Sequence, residues 1–300
     1  MTVAGREDLP SSILVTRIDP SARSRLRVRE WDDVPYLQAL LPGRLRAVFT
    51  TRLGGVSSGP YASFNLDLGS GDDPEAVASN RSRLSGLLTQ TGDGWQTGDG
   101  WRTGAQGRSH GGYRLVSPRQ RHGVRVVGAA ECARGDSTAS CDGLTLHPEL
   151  DRGLAAVLLF ADCLPIVLVG EVDMVVVHAG WRGLLSGIVE QAGRAMTGPP
   201  ASAFIGPSIG PCCFTVDVEI ARAFRSRFGR EVALEHSGGV AHRVDLWAAA
   251  TRALEEIGVG RDRVTNPRLC TACNPNLFYS YRRDGPITGR QACVAWVEGL

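Results

Sequence analysis

Three short segments of this chain carry residues able to do chemistry together. His178-Ala179-Gly180-Trp181-Arg182-Gly183 follows the apolar run Met174 to Val177 and precedes Leu184, Leu185, Ile188 and Val189, which recur at helical spacing. The pattern reads as a strand, a glycine-bracketed turn and a helix, with an imidazole at the strand end and a guanidinium at the helix N-terminus. Free backbone N–H groups at such a terminus attract anions, and an arginine sharpens the preference for phosphate or carboxylate. The plainer alternative is a tight turn whose histidine bonds locally. Phe160-Ala161-Asp162-Cys163-Leu164-Pro165 lies at a second junction, between the apolar runs Leu154–Phe160 and Ile166–Val169. Cys163 and His178 each adjoin a strand-like run, so neighbouring strand ends can bring them together. His122, in Gln120-Arg121-His122-Gly123-Val124, is the third candidate. Two imidazoles and one thiolate make a catalytic zinc set that leaves a fourth position open for water or substrate.

Composition narrows the classes. The 300 residues are 43% hydrophobic, enough for a sizeable core. A formal charge of +2 gives no reason to expect nucleic acid or a membrane surface as partner. All 33 basic residues are arginine, which excludes a lysine Schiff base and a Walker-type phosphate loop. The polar segment Met1 to Trp31 has no apolar core for a signal peptide, and no window approaches a membrane span. A cytoplasmic location is therefore expected, with the eight cysteines reduced. Cys270 and Cys273 form a CxxC, but no second CxxC accompanies it, so neither a structural metal nor a redox pair is expected there. No obligate protein partner is evident.

The elements that must position these residues can be read from periodicity. Residues 1–27 read as a weakly ordered lead-in and 28–300 as one catalytic domain. A helix starting at Asp73-Pro74 runs to about Leu88. Strands are expected at 45–51, 113–116, 124–127, 154–160, 164–169, 173–178, 203–205, 277–281 and 292–297. Helices are expected at 183–196, 218–228 and 246–257. A duplicated Thr-Gly-Asp-Gly-Trp motif marks a Gly/Trp-rich surface insertion near 89–112. Strands outnumber helices and often adjoin each other directly, which favours an α+β fold of mixed sheets with helices outside.

The segments TTRLGGVSSGPYASFNL, GDDPEAVASNRSRL, QRHGVRVV, DGLTLHPELDRGLAAVLLFADCLP, VVVHAGWRG, IGPSIGPCCF and FYSYRRDGPITGR together resemble the YfiH-type family, also called the laccase-domain or purine nucleoside phosphorylase family. The resemblance runs from about residue 47 to the C-terminus. It implies a layered α/β/β/α sandwich and metal ligands at His122, Cys163 and His178, the three residues that the chemistry nominates. It further implies zinc, phosphorolysis of purine nucleosides (adenosine, inosine, methylthioadenosine) and adenosine deamination. Some members are named polyphenol oxidases, and others are linked to peptidoglycan-precursor editing, which suggests a muramyl nucleotide as an alternative ligand.

Phosphorolysis needs an anion site, for which Arg52, Arg182, Arg282 and Arg283 are candidates, each also readable as an ordinary surface or ion-paired arginine. Asn65 can bond ribose hydroxyls or a base, or simply hold its turn. Deamination needs a carboxyl to carry protons, and Asp162 beside Cys163 is nominated, its alternative role being to orient a ligating histidine. A His₂Cys set also suits copper. Six histidines with no HxH are too few for a multicopper oxidase, however. A cysteine hydrolase with Cys163 as nucleophile and His178 as base uses the same residues.

Overall fold

The runs Leu154–Phe160, Leu164–Val169 and Met174–Ala179 are strands with almost no exposed residue. A strand without a polar side needs cover on both faces, and that requirement builds the molecule. In the computed structural model, which describes residues 10–90, 112–134, 140–234 and 242–299, these strands belong to two six-stranded sheets. One runs in spatial order Leu26–Trp31, Val34–Ala39, Leu45–Thr50, Gln291–Val297, Leu154–Phe160, Arg114–Val116. The other runs Val264–Thr265, Ser202–Ile205, Leu164–Val169, Met174–Ala179, Gly143–Leu146, Val126–Gly128. Both are mixed: Arg114–Val116, Val264–Thr265 and Val126–Gly128 each join their neighbour in parallel, and the other pairings are antiparallel.

Side-chain alternation distributes the core over three layers. Met174, Val176, Val167 and Val169 meet Phe49, Leu158 and Phe160 between the sheets. Val175, Val177, Ile166 and Leu168 face outward onto Leu184, Ile188, Val189, Trp247 and Leu254 of the helices. On the far side Val48, Val157, Val294 and Trp296 pack against Leu84, Leu87 and Leu88 of the helix Pro74–Gln90. The result is the expected α/β/β/α sandwich. Each of these buried side chains contributes on the order of 1.5–3 kcal/mol by leaving water.

Two sequence expectations are corrected, and the lead-in gains elements. The helix expected over 183–196 divides at Gly187, whose φ of +90° ends Trp181–Ser186 before Ile188–Arg194 begins. Within the expected lead-in, Pro10–Arg17 is a helix, and the first strand starts at Leu26. Leu14, Ile18, Ala22 and Leu26, each four apart, are buried in the core between the sheets; polar neighbours hide that spacing from composition. Residues 277–281 form no strand, and Tyr281–Asp284 is instead a short helix capped by the Ser280 hydroxyl. Residues 91–111 of the expected insertion, and residues 1–9 of the lead-in, lie outside the described residues. All eight cysteines are free thiols, and among the described residues no helix is long and apolar enough to cross a membrane.

Candidate metal centre

The hairpin of Leu164–Val169 and Met174–Ala179 pairs Leu164 with Ala179 and Pro165 with His178. Cys163, one residue before the hairpin, therefore lies across from Gly180, one residue after it. A Cβ on Gly180 would sit 2.8 Å from His122 Cδ2 and 3.2 Å from Cys163 Sγ, so only glycine leaves room for the three side chains to close. The His178 ring lies 5.4 Å from that of Phe160 and is 4% exposed. The His122 and His178 rings are 4.7 Å apart and nearly perpendicular. One donor atom from each of His122, Cys163 and His178 lies within 4.8 Å of the others. Tetrahedral zinc with nitrogen and sulfur ligands spaces its donors by about 3.3–3.8 Å, so this set fits one ion.

Asp142, which sequence reading did not single out, holds two of the three ligands. Its buried carboxylate accepts the backbone N–H groups of Arg121, His122 and Gly123 at 3.0, 2.8 and 2.8 Å. It also accepts Nδ1–H of His178 at 3.0 Å. These bonds hold His122 in its turn at φ +60° and leave Nε2 of His178 as the ligand atom, the arrangement by which a carboxylate fixes a metal-binding imidazole. The available signal was Asp142-Gly143 at the head of the strand Gly143–Leu146, which pairs with the His178 strand. Gln120 pins the same turn to the first sheet, bonding both the N–H and the C=O of Leu159 at 2.8 Å.

The electrostatics follow from this crowding. Burial opposes ionisation of Cys163, but His178 and His122 outweigh it and lower the thiol to about 6. Burial likewise opposes charging of His178, yet the Cys163 thiolate and Asp142 raise it to about 9. Without metal the pair is a thiolate and an imidazolium.

The other nominated residues are placed differently. Asp162, at φ +93°, accepts the Thr271 hydroxyl at 2.5 Å and the Arg282 N–H at 2.6 Å. The carboxylate that orients a ligating histidine is thus Asp142 and not Asp162. Asn65 is fully buried; its amide donates to Ser70 and Asp72, and its carbonyl accepts from Asp67 and Arg290. With every polar atom bonded internally it holds a turn and presents nothing to a nucleoside. Arg52 clamps the carbonyls of Ala62 and Pro275 while stacking 4.5 Å from the Tyr279 ring. Arg283 spends its donors on Thr271, Ala272, Phe278 and Asp284. Arg182 differs from these: it is exposed, stacks 4.3 Å from the Trp181 ring, and its side chain makes no hydrogen bond among the described residues.

Residues 46–99 and 102–298 match the family model described as multi-copper polyphenol oxidoreductase laccase. The chain belongs to this YfiH-type family. It is 33% identical over 261 residues to the purine nucleoside phosphorylase YlmD of Geobacillus stearothermophilus, covering 81% of this chain and 87% of that one. To the purine nucleoside phosphorylase YfiH of Shigella flexneri it is 31% identical over 280 residues, covering 91% and 99%. The crystal structure of YlmD from Geobacillus stearothermophilus matches with a TM-score of 0.74 at 28% identity over 92% of this chain and 99% of that one. A Neisseria meningitidis member matches at 0.73 and 30% identity, over 92% and 100%. Despite the multi-copper label in the family's description, the histidines grouped at one point among the described residues are only His122 and His178.

Proposed function

We propose that the chain is a zinc-dependent purine nucleoside phosphorylase acting on adenosine, inosine and methylthioadenosine. The observation that carries this reading is the convergence of His122, Cys163 and His178 over Gly180, locked by Asp142, in a chain similar along most of its length to proteins of that name. The three ligands would hold the zinc, and copper is the alternative that the same donors accept. When bound, zinc supplies Lewis acidity beside an open coordination position. Asp142 holds the rings, Gly180 leaves the space, and Arg182 offers unspent guanidinium donors to inorganic phosphate. In the reaction a phosphate oxygen bonds to C1′ of the ribose as the bond from C1′ to the base breaks. The reading places the protein in the cytoplasm, with nucleosides and phosphate as partners and without nucleic acid or membrane.

The reading extends to deamination of adenosine. Asp162, whose carboxylate accepts from Thr271 and Arg282, is the carboxyl that would carry protons there. Zinc-loaded protein incubated with adenosine and phosphate should yield adenine and ribose 1-phosphate, with inosine reporting deamination. Absence of all three products overturns the enzymatic reading. The His178→Ala variant should lose the zinc of this centre and the activity together.

A second reading has its own support: Cys163, His178 and Asp142 line up as nucleophile, base and orienting carboxylate, with a thiol lowered to about 6. Iodoacetamide separates the two. A zinc ligand is protected from alkylation by the metal, whereas a hydrolase works without metal and dies on alkylation.

A further inference from the structure

Sequence reading left the CxxC of Cys270 and Cys273 without partners, and the fold supplies them. The turn at 211–213 brings the adjacent pair Cys212-Cys213 onto the turn at 270–273, so that the four sulfurs lie within 4.8 Å of one another. Cys273 Sγ is 3.4 Å from that of Cys212 and 3.3 Å from that of Cys213. We propose that Cys212, Cys213, Cys270 and Cys273 form a second, structural zinc site, closed by four thiolates and separate from the His122–Cys163–His178 centre.

Four observations support it. First, zinc bound by sulfur at about 2.3 Å puts its ligands about 3.8 Å apart in a tetrahedron, and this cluster spans that spacing. A multi-iron cluster divides its thiolates among several ions and spreads them more widely than one centre needs. Second, Cys273 is nearly equidistant from two neighbours, so the cluster selects no single disulfide partner. Third, the backbone N–H of Gly210 donates to Cys270 Sγ at 3.3 Å, a bond that favours thiolate over thiol. Gly210 is held to glycine because a Cβ there would meet the Trp247 ring at 2.7 Å. Fourth, both turns are gripped by arginine. Arg282 bonds the carbonyls of Cys213 and Thr215, and Arg283 those of Thr271 and Ala272. These bonds fix the backbone of both turns, so the four sulfurs are held together without a disulfide.

The site has a structural consequence. Thr271, within the CxxC, gives its hydroxyl to Asp162, the neighbour of Cys163. Asn274 continues the brace, donating to the carbonyl of Cys270 and accepting from Arg17 of the first helix. A metal joining the two turns would therefore hold the backbone next to Cys163 and tie down the N-terminal helix.

The test uses the full chain, purified under reducing conditions and loaded with zinc alone. Elemental analysis should find two zinc ions per wild-type chain. It should find one in His178→Ala, one in Cys212→Ser/Cys273→Ser, and none in the combined variant. Zinc-edge X-ray absorption of His178→Ala should show a shell of four sulfurs at about 2.3 Å. This variant removes the other centre, so the result is independent of the proposed activity and of whether the serine variant folds. A His178→Ala protein without zinc, one whose intact mass shows a disulfide among these cysteines, or one that takes up iron in preference to zinc would overturn the assignment.

Discussion

The two thiol-bearing centres are built on opposite plans. The His122–Cys163–His178 centre mixes donors, exposes His122, and leans on a single buried carboxylate for its geometry. The four-cysteine centre uses sulfur alone, and both of its turns are gripped through their carbonyls by neighbouring arginines. Three donors leave a coordination position for chemistry, whereas four thiolates close the shell and leave only a structural task. The surroundings differ to match: Asp142 stabilises imidazolium and holds a histidine in place, while Arg282 and Arg283 fix the backbone of the cysteine turns.

Acid should separate the centres most. Protons compete with zinc for the ligands, so the sign follows from which ligands carry protons without metal. Between pH 6 and 9 Cys163, lowered to about 6, is already a thiolate, while His178, raised to about 9, still holds a proton that zinc must displace. Zinc affinity at this centre should rise about tenfold per pH unit over that window, roughly a thousandfold in all. The dependence should steepen below 6, where the thiol is also protonated, and flatten above 9. At the other centre burial and the Cys273 thiol push Cys212 and Cys213 up, the latter to about 11, so more protons leave on binding and the slope across the same window should be greater. Competition with a chromophoric chelator, using His178→Ala and Cys212→Ser/Cys273→Ser to isolate each centre, measures both slopes. Equal slopes would erase the distinction drawn here.

Asp142→Asn attacks one centre alone. An amide replaces one acceptor oxygen with an N–H₂, which opposes the N–H of Gly123 if it takes the Oδ2 position and those of His122 and His178 if it takes Oδ1, so the turn carrying His122 loses a partner either way. Loss of such a support typically costs 10–100-fold in metal affinity, and that is the expected fall at the His/Cys centre. The four-cysteine zinc should be unaffected, as read by metal content after partial chelation. Gly180→Ala should do less, roughly tenfold, because its methyl group must displace the edge of the His122 ring, an overpacking strain of about 1–2 kcal/mol. Its zinc titration should weaken while the thermal midpoint of unfolding changes little; an unchanged affinity would mean that His122 has room to move.

The contrast also explains what the sequence made legible. Cys163 and His178 could be read because each adjoins a continuous apolar strand, and a two-stranded hairpin brings such ends together whatever the rest of the fold does. Asp142 was harder to see: its role depends on the third strand over and on a turn 20 residues earlier, and neither leaves a periodic mark. The four-cysteine cluster was harder still. A CxxC lacks meaning until a turn some sixty residues away is folded onto it, and the partner turn carries an adjacent pair in place of the usual spaced one. The layers were legible from strand runs, whereas Leu14, Ile18, Ala22 and Leu26 were masked by polar surroundings. The arginines misled for a related reason: the need for an anion site suggested that Arg52 and Arg283 face a ligand, but carbonyls of neighbouring loops consume their donors.

Arg182 gives the smallest effect and the finest test of that last difference. It follows Gly180 and Trp181 directly after the His178 strand, and its guanidinium rests on the Trp181 ring with its N–H groups unspent among the described residues. Because it is exposed, its attraction for an anion is screened, and a single such contact is worth up to about 1 kcal/mol, roughly fivefold. Arg182→Gln should therefore raise KM for phosphate by up to about fivefold, leaving the KM for nucleoside, the zinc content of both centres and the stability unchanged. Arg283→Gln, by contrast, removes the grip on Thr271, Ala272 and Phe278 and should lower the thermal midpoint, with any loss of activity following the loss of folded protein. If Arg182→Gln left phosphate KM untouched while Arg283→Gln raised it in fully folded protein, the division between ligand-facing and loop-holding arginines would be reversed.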